Sequence, residues 1–240
     1  MKKAYKLFTM VFLSLLLSQQ LTAQTKYIGN SGTMNFFEVY DTEGTRIKSA
    51  KEIGINGTPL LQPGWGAGTV QFLNGTVVAY KNITFSLCEN KLYYTLNKKL
   101  YQITQPVAAF NIGFLNENGD SVRYRFKNGF PFVENQDFES LYEVLYEGDN
   151  LQLLQWNHKK IKEVFHYGGS PEKEFALEQQ LYVYLPKEQK IAMLKQAMPA
   201  IKKTLPAYAD IIKTYFDTHT ASIKDKEDLV YLMAYLDKHH

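Results

Sequence analysis

A single cysteine, Cys88, serves the whole chain, and that scarcity excludes several designs at once. One thiol cannot close an intramolecular disulfide, even in an oxidising compartment. Nor can it accept lipid at a lipoprotein processing site, because it lies deep in the sequence. The stretch Phe85-Ser86-Leu87-Cys88 is apolar and strand-like, so Cys88 reads as a small buried hydrophobe. No apolar run reaches the roughly 20 residues that cross a bilayer as a helix. Catalytic signatures are missing too. There is no G-x-S-x-G, since Gly168-Gly169-Ser170-Pro171 has proline after the serine, and there is no H-E-x-x-H. Neither phosphate-binding glycine pattern, G-x-x-x-x-G-K-[ST] or G-x-G-x-x-G, occurs. No repeat and no low-complexity tract is present.

An excess of one charge is also lacking. The chain has 27 Lys+Arg against 24 Asp+Glu. The first 23 residues hold three of the lysines and no acid, so the remainder is balanced. A neutral chain without a basic run has no electrostatic footprint for nucleic acid and no polybasic patch for anionic lipid.

What is present begins with an export signal. Lys2, Lys3 and Lys6 precede an apolar run from Leu7 to Leu17, broken only by Thr9 and Ser14. Ser18-Gln19-Gln20 is polar, and Leu21-Thr22-Ala23 places a small residue before an expected cut between Ala23 and Gln24. The expected location is periplasmic, outer-membrane-associated or extracellular.

With 45% hydrophobic and 14% aromatic residues, the chain can bury a core. From 24 to 185 it reads as short alternating strands separated by turn residues. These are Met34 to Tyr40, Gly68 to Leu73, Val77 to Leu87, Lys91 to Leu96, Leu100 to Ile103, Val107 to Phe114, Ser121 to Phe126, Phe138 to Tyr146 and Leu151 to Trp156. Asn118-Gly119 is the strongest hairpin signal, and Glu147-Gly148-Asp149-Asn150 is another good turn. The segment 57–68, with Pro59, Pro63 and glycines at 64, 66 and 68, reads as a loop. Such short connections suit an antiparallel meander and not parallel crossovers.

From 186 to 240 the period becomes helical. Tyr208, Ile211, Ile212 and Tyr215 form one apolar stripe, and Leu229, Leu232, Met233 and Leu236 form a second. Pro199 and Pro206 suit helix first turns, and Asp225, Glu227 and Asp228 crowd the start of the last helix, complementing its dipole. The expectation is an α+β fold, a curved antiparallel sheet (a meander or a partial barrel) with short C-terminal helices packed on it in the same domain.

Candidate sites are few. His158 and His166, eight residues apart, would share one face of an unbroken strand, with Glu163 nearby, and could bind a transition metal. Lysines at 159, 160 and 162 oppose a cation there, so no metal and no cofactor is assigned. Paired carboxylates for glycoside hydrolysis depend on spatial separation, which 24 scattered acids do not reveal. No catalytic residue is assigned. Trp65, in Pro63-Gly64-Trp65-Gly66, could present its ring as a stacking platform for a sugar or plug one end of the sheet.

Several of these elements resemble a family of secreted Bacteroidota proteins of unknown function. The likeness runs through Gly57-Thr58-Pro59-Leu60-Leu61, Gly68-Thr69-Val70 and Tyr80-Lys81-Asn82-Ile83, then Phe138 to Leu145, Gly148 and Leu153-Leu154. The tyrosine-bearing strand at Leu181 to Tyr184 and the lysine-rich helices after it are similar as well. Thr58 and Leu60 stand where the family has serine and an aromatic, and Ser140-Leu141-Tyr142 lengthens one block. The resemblance implies compartment and fold, not an activity. Asp120-Ser121-Val122 also looks like the O-glycosylation acceptor pattern of that phylum, with Ser121 as the acceptor. The leading expectation is a non-catalytic envelope-associated protein that binds a hydrophobic or glycan ligand or a protein partner; the alternative is a hydrolase of envelope or extracellular polymers.

Overall fold

The computed structural model describes residues 26–28, 39–40, 46–48, 55–115, 118–165 and 171–239. Among the described residues, fourteen strands lie in one mixed, mostly antiparallel sheet. In chain order they are β1 Lys26–Ile28, β2 Val39–Tyr40, β3 Arg46–Lys48, β4 Ile55–Asn56, β5 Gly66–Phe72, β6 Val77–Ser86 and β7 Lys91–Leu96. There follow β8 Lys99–Gln102, β9 Val107–Leu115, β10 Ser121–Lys127, β11 Tyr142–Glu147, β12 Gln152–Val164, β13 Glu172–Leu185 and β14 Lys190–Met193. Three helices end the chain: α1 Met198–Thr204, α2 Ala209–Thr218 and α3 Lys226–Lys238. No described helix is long and apolar enough to cross a membrane.

Two antiparallel meanders, β5 to β8 and β9 to β14, are joined where β5 pairs β9. The path ends on β14 and β3 and is not closed. The contacts of β1 with β6, β2 with β8 and β4 with β13 are parallel, a departure from the purely antiparallel expectation. Strand β5 begins inside the segment expected to be a loop, because Gly66 and Gly68 let it approach β9 closely. A Cβ on Gly68 would strike the Asn111 carbonyl oxygen. The Phe138–Tyr146 stretch becomes strand only from Tyr142, and β12 runs eight residues past Trp156. Of Met34 to Tyr40 only 39–40 lies within the described residues.

Alternation explains the strands. In β9 and β10, Phe110, Ile112 and Phe126 are buried while Asn111, Arg123 and Arg125 on the other face are exposed. Phe110 and Phe126 are register partners whose rings stack 4.6 Å apart. They belong to an apolar cluster with Val70, Ile83, Phe85, Leu92 and Ile103.

A second cluster joins the sheet to the helices. Leu151, Leu153 and Val183 pack with Ile201, Ile212, Leu229, Leu232, Met233 and Leu236. Asp225 caps α3, accepting from the backbone N–H groups of Glu227 at 2.8 Å and Asp228 at 3.1 Å. Near its other end, the Asp237 carboxylate accepts from the N–H groups of Asn150 at 2.7 Å, Leu151 at 3.1 Å and Asp149 at 3.3 Å. The turn before β12 is thereby tied to the last helix. A Cβ at Gly148 would collide with the Asp237 carboxylate, so a larger residue there would have to push it off these hydrogen bonds. A third cluster (Phe130, Tyr142, Leu154, Tyr182, Ile191) covers the opposite face of β11 to β14.

Candidate functional site

An apolar concavity lies at one end of the first cluster. It has a volume of about 450 Å³, within the roughly 300–1,000 Å³ usual for small-molecule pockets. Its floor is core: Leu92, Ile103 and Leu141 are 2%, 7% and 6% exposed. Its rim carries two large apolar side chains left in water, Leu73 at 67% and Phe138 at 66% exposure. Asn90, Lys91, Thr104, Gln105, Asn128 and Glu139 add polar groups around them.

The rim is held in place by its own backbone. Leu73 N–H donates to the Pro106 carbonyl at 3.0 Å, and the turn after it is tied by Asn74 Oδ1, which accepts from Thr76 N–H at 3.0 Å. Asp137 Oδ1 accepts from the N–H groups of Glu139 and Ser140 at 3.0 and 3.1 Å, a side-chain turn that carries Phe138. The Phe138 carbonyl accepts from Gly129 N–H at 2.9 Å. Asn90, in the left-handed region at φ 55°, donates from Nδ2 to the Glu139 carbonyl at 3.2 Å. Both exposed apolar groups therefore sit on turns cross-linked to strands, which limits their collapse onto the floor.

A separate polar array lies on β11 to β13. Glu143 opposes Gln155, and Asn157 opposes Gln179. Glu143 Oε2 accepts from Asn157 Nδ2 at 2.8 Å and Gln155 Nε2 at 3.4 Å. Asn157 Oδ1 accepts from Gln155 Nε2 at 2.6 Å and Gln179 Nε2 at 2.8 Å. Burial pushes the Glu143 carboxyl above its ordinary value, against the opposing pull of the Asn157 hydrogen bond and of Lys226. The alternation of Gln155 and Asn157 just after the apolar Leu153-Leu154 is the sequence signal that could have found this array.

The residues singled out from sequence fall elsewhere. Trp65 packs half-buried against Tyr93 and Leu100, and its Nε1 is buried without a hydrogen-bond partner. It lines none of the clefts described here. Ser121 is exposed at the start of β10, on the edge of a shallow groove of about 710 Å³ across the sheet. Cys88 is half-buried in the turn between β6 and β7, not within a strand, because β6 ends at Ser86. His158 stacks on Trp156, ring centroids 5.0 Å apart, Glu163 is exposed, and His166 lies outside the described residues. Among the described residues, no group of three His, Cys, Asp or Glu side chains could hold a metal ion. Ala23 and Gln24 also lie outside the described residues.

No protein-family model, curated protein or solved structure matches the chain.

Proposed function

We propose that this is an exported, envelope-associated binding protein whose ligand is a small amphipathic molecule seated in the pocket between Leu73 and Phe138. In this reading the sheet curls as a partial barrel and the pocket is its open end. The carrying observation is the pair of exposed apolar side chains on hydrogen-bonded turns above a floor of buried Leu92, Ile103 and Leu141. Water bears on both at a cost of roughly 25 cal/mol per Å² of apolar surface, which a ligand's apolar body relieves on binding. The polar rim, with Lys91 and the amides of Asn90, Gln105 and Asn128, suits a polar end. The lysine-led apolar start of the chain and the likeness to secreted Bacteroidota proteins support an exported location.

The hydrolase reading has less support. Among the described clefts, the walls carry at most one carboxylate each: Glu139, Glu143, Asp228, or none. Acid–base glycoside hydrolysis needs two carboxyl groups flanking one bond.

The test is titration of the protein with decanoate, followed by calorimetry. Saturable binding that Phe138→Asp weakens by about tenfold or more, with the unfolding transition unchanged, supports the reading. Absence of binding, or binding indifferent to Phe138→Asp, overturns it.

A further inference from the structure

We infer a second binding site, independent of the apolar pocket, for an acidic sugar in the cleft where the sheet meets the helices. The cleft has a volume of about 440 Å³ and is lined by Gln155, Gln179, Gln180, Lys195, Lys224 and Lys226, with Leu181, Leu194 and Gln196 completing it. Its wall carries three ammonium groups and no carboxylate, in a chain whose charges otherwise nearly balance; Glu143 stands behind the wall, hydrogen-bonded to Gln155 and within the field of Lys226. None of the three lysines forms an ion pair with a described residue.

The amide wall gives the cleft its second character. Gln155 and Asn157 are 4% and 7% exposed, in the middle of a sheet face where leucine or valine would bury more favourably. Their donors are committed inward. Gln155 Nε2 serves Glu143 and Asn157, Gln179 Nε2 serves Asn157, and Asn157 Nδ2 serves Glu143. Both glutamines are seen only as Nε2 donors, and no described donor reaches the Oε1 atoms of these two cleft-lining residues. Carboxamide oxygens fixed in this way accept from hydroxyl groups, and the ammoniums beside them, none in a described ion pair, receive an anion. Gln196 Nε2 donates to the carbonyls of Ile223 and Lys224, both at 3.2 Å, and so holds the lysine-bearing loop against the cleft. A ligand with several hydroxyls and one carboxylate, the hexuronate class, meets both demands. A neutral sugar meets the first alone, and a simple carboxylate only the second.

The test uses the full-length secreted form of the protein and three probes, D-glucuronate, D-glucose and acetate, followed by calorimetry or by backbone amide shifts. D-glucuronate is expected to bind at least about tenfold more tightly than either of the others, since D-glucose lacks the carboxylate and acetate lacks the hydroxyls. Lys224→Gln with Lys226→Gln is expected to weaken D-glucuronate by about tenfold or more without moving the unfolding midpoint. Decanoate binding should be unaffected by the same substitutions, which separates this site from the apolar pocket. Gln179→Leu, on the more accessible amide, should weaken D-glucuronate and D-glucose alike. Equal affinity for acetate and D-glucuronate reduces the cleft to a lysine patch and overturns the inference. So does affinity that survives the double lysine substitution, or no binding of D-glucuronate at all.

Discussion

Leu232 and Leu236 lie one turn apart on α3, both fully buried, against Leu151, Leu153 and Val183 of the sheet. Truncating either to alanine removes buried methyl groups and leaves a cavity, at about 2–5 kcal/mol each. Because they share neighbours the two effects need not add, and the pair is expected to cost about 4–8 kcal/mol. That is a large fraction of an ordinary domain's stability of roughly 5–15 kcal/mol. A 13-residue helix is marginal alone in water, so α3 depends on this packing. The chain's two tryptophans supply the assay. Trp65 and Trp156 both belong to the sheet half, against Tyr93 and Leu100 and in the cluster of Tyr142 and Tyr182. Their emission therefore reports unfolding of the sheet, not of the tail. In denaturant titrations, Leu232→Ala alone should shift the tryptophan midpoint downward, and Leu232→Ala with Leu236→Ala should shift it further or abolish folding. An unchanged tryptophan transition, with loss confined to helical circular dichroism, would refute the reasoning and make the helices a detachable module.

Other substitutions test the polar contacts. Asp237→Asn removes the charge that receives three backbone N–H groups and should lower stability by about 1.5–3 kcal/mol in the same assay; a neutral effect would show that the turn is not anchored there. The carboxyl of Glu143 is held above its ordinary value of 4.5, chiefly by burial, so the folded chain binds that proton more tightly than the unfolded one. Stability from this group is then greatest at low pH and falls as pH rises through the folded pKa. Glu143→Gln should flatten that slope and leave stability at neutral pH equal or higher, and a retained slope would assign it to another group. Finally, the intact mass of protein secreted by its native host should begin at Gln24, and a chain retaining Met1 to Leu17 would end the export reading.

Much of the sheet was legible because its strands alternate. Phe110, Ile112 and Phe114 against Asn111 and Gly113 announce β9 without help from tertiary structure. The outer half of β12 was not, because Lys159 to Glu163 carries no apolar alternation; its strand form comes from the ladder with β13, which continues through Val164↔Glu172. The two apolar stripes of the tail were readable, since Ile212, Tyr215, Leu229, Leu232, Met233 and Leu236 are all buried. The pocket was not. Leu73 and Phe138 stand far apart in sequence, and each alone looks like the ordinary exposed hydrophobe of a turn. Only the meeting of the β5–β6 turn with the loop before β11 makes them a rim. Trp65, open in sequence between a sugar platform and a plug at one end of the sheet, has Tyr93 and Leu100 of the sheet as its neighbours.

The central claim is that the pocket between Leu73 and Phe138 receives an apolar ligand, and methyl-resolved NMR during decanoate titration tests it most directly. The methyl resonances of Leu73, Leu92, Ile103 and Leu141 should shift together and saturate at one common affinity. Shifts confined to exposed apolar residues elsewhere, such as Leu115, Ile161 and Leu177, with the four pocket residues unmoved, would contradict it.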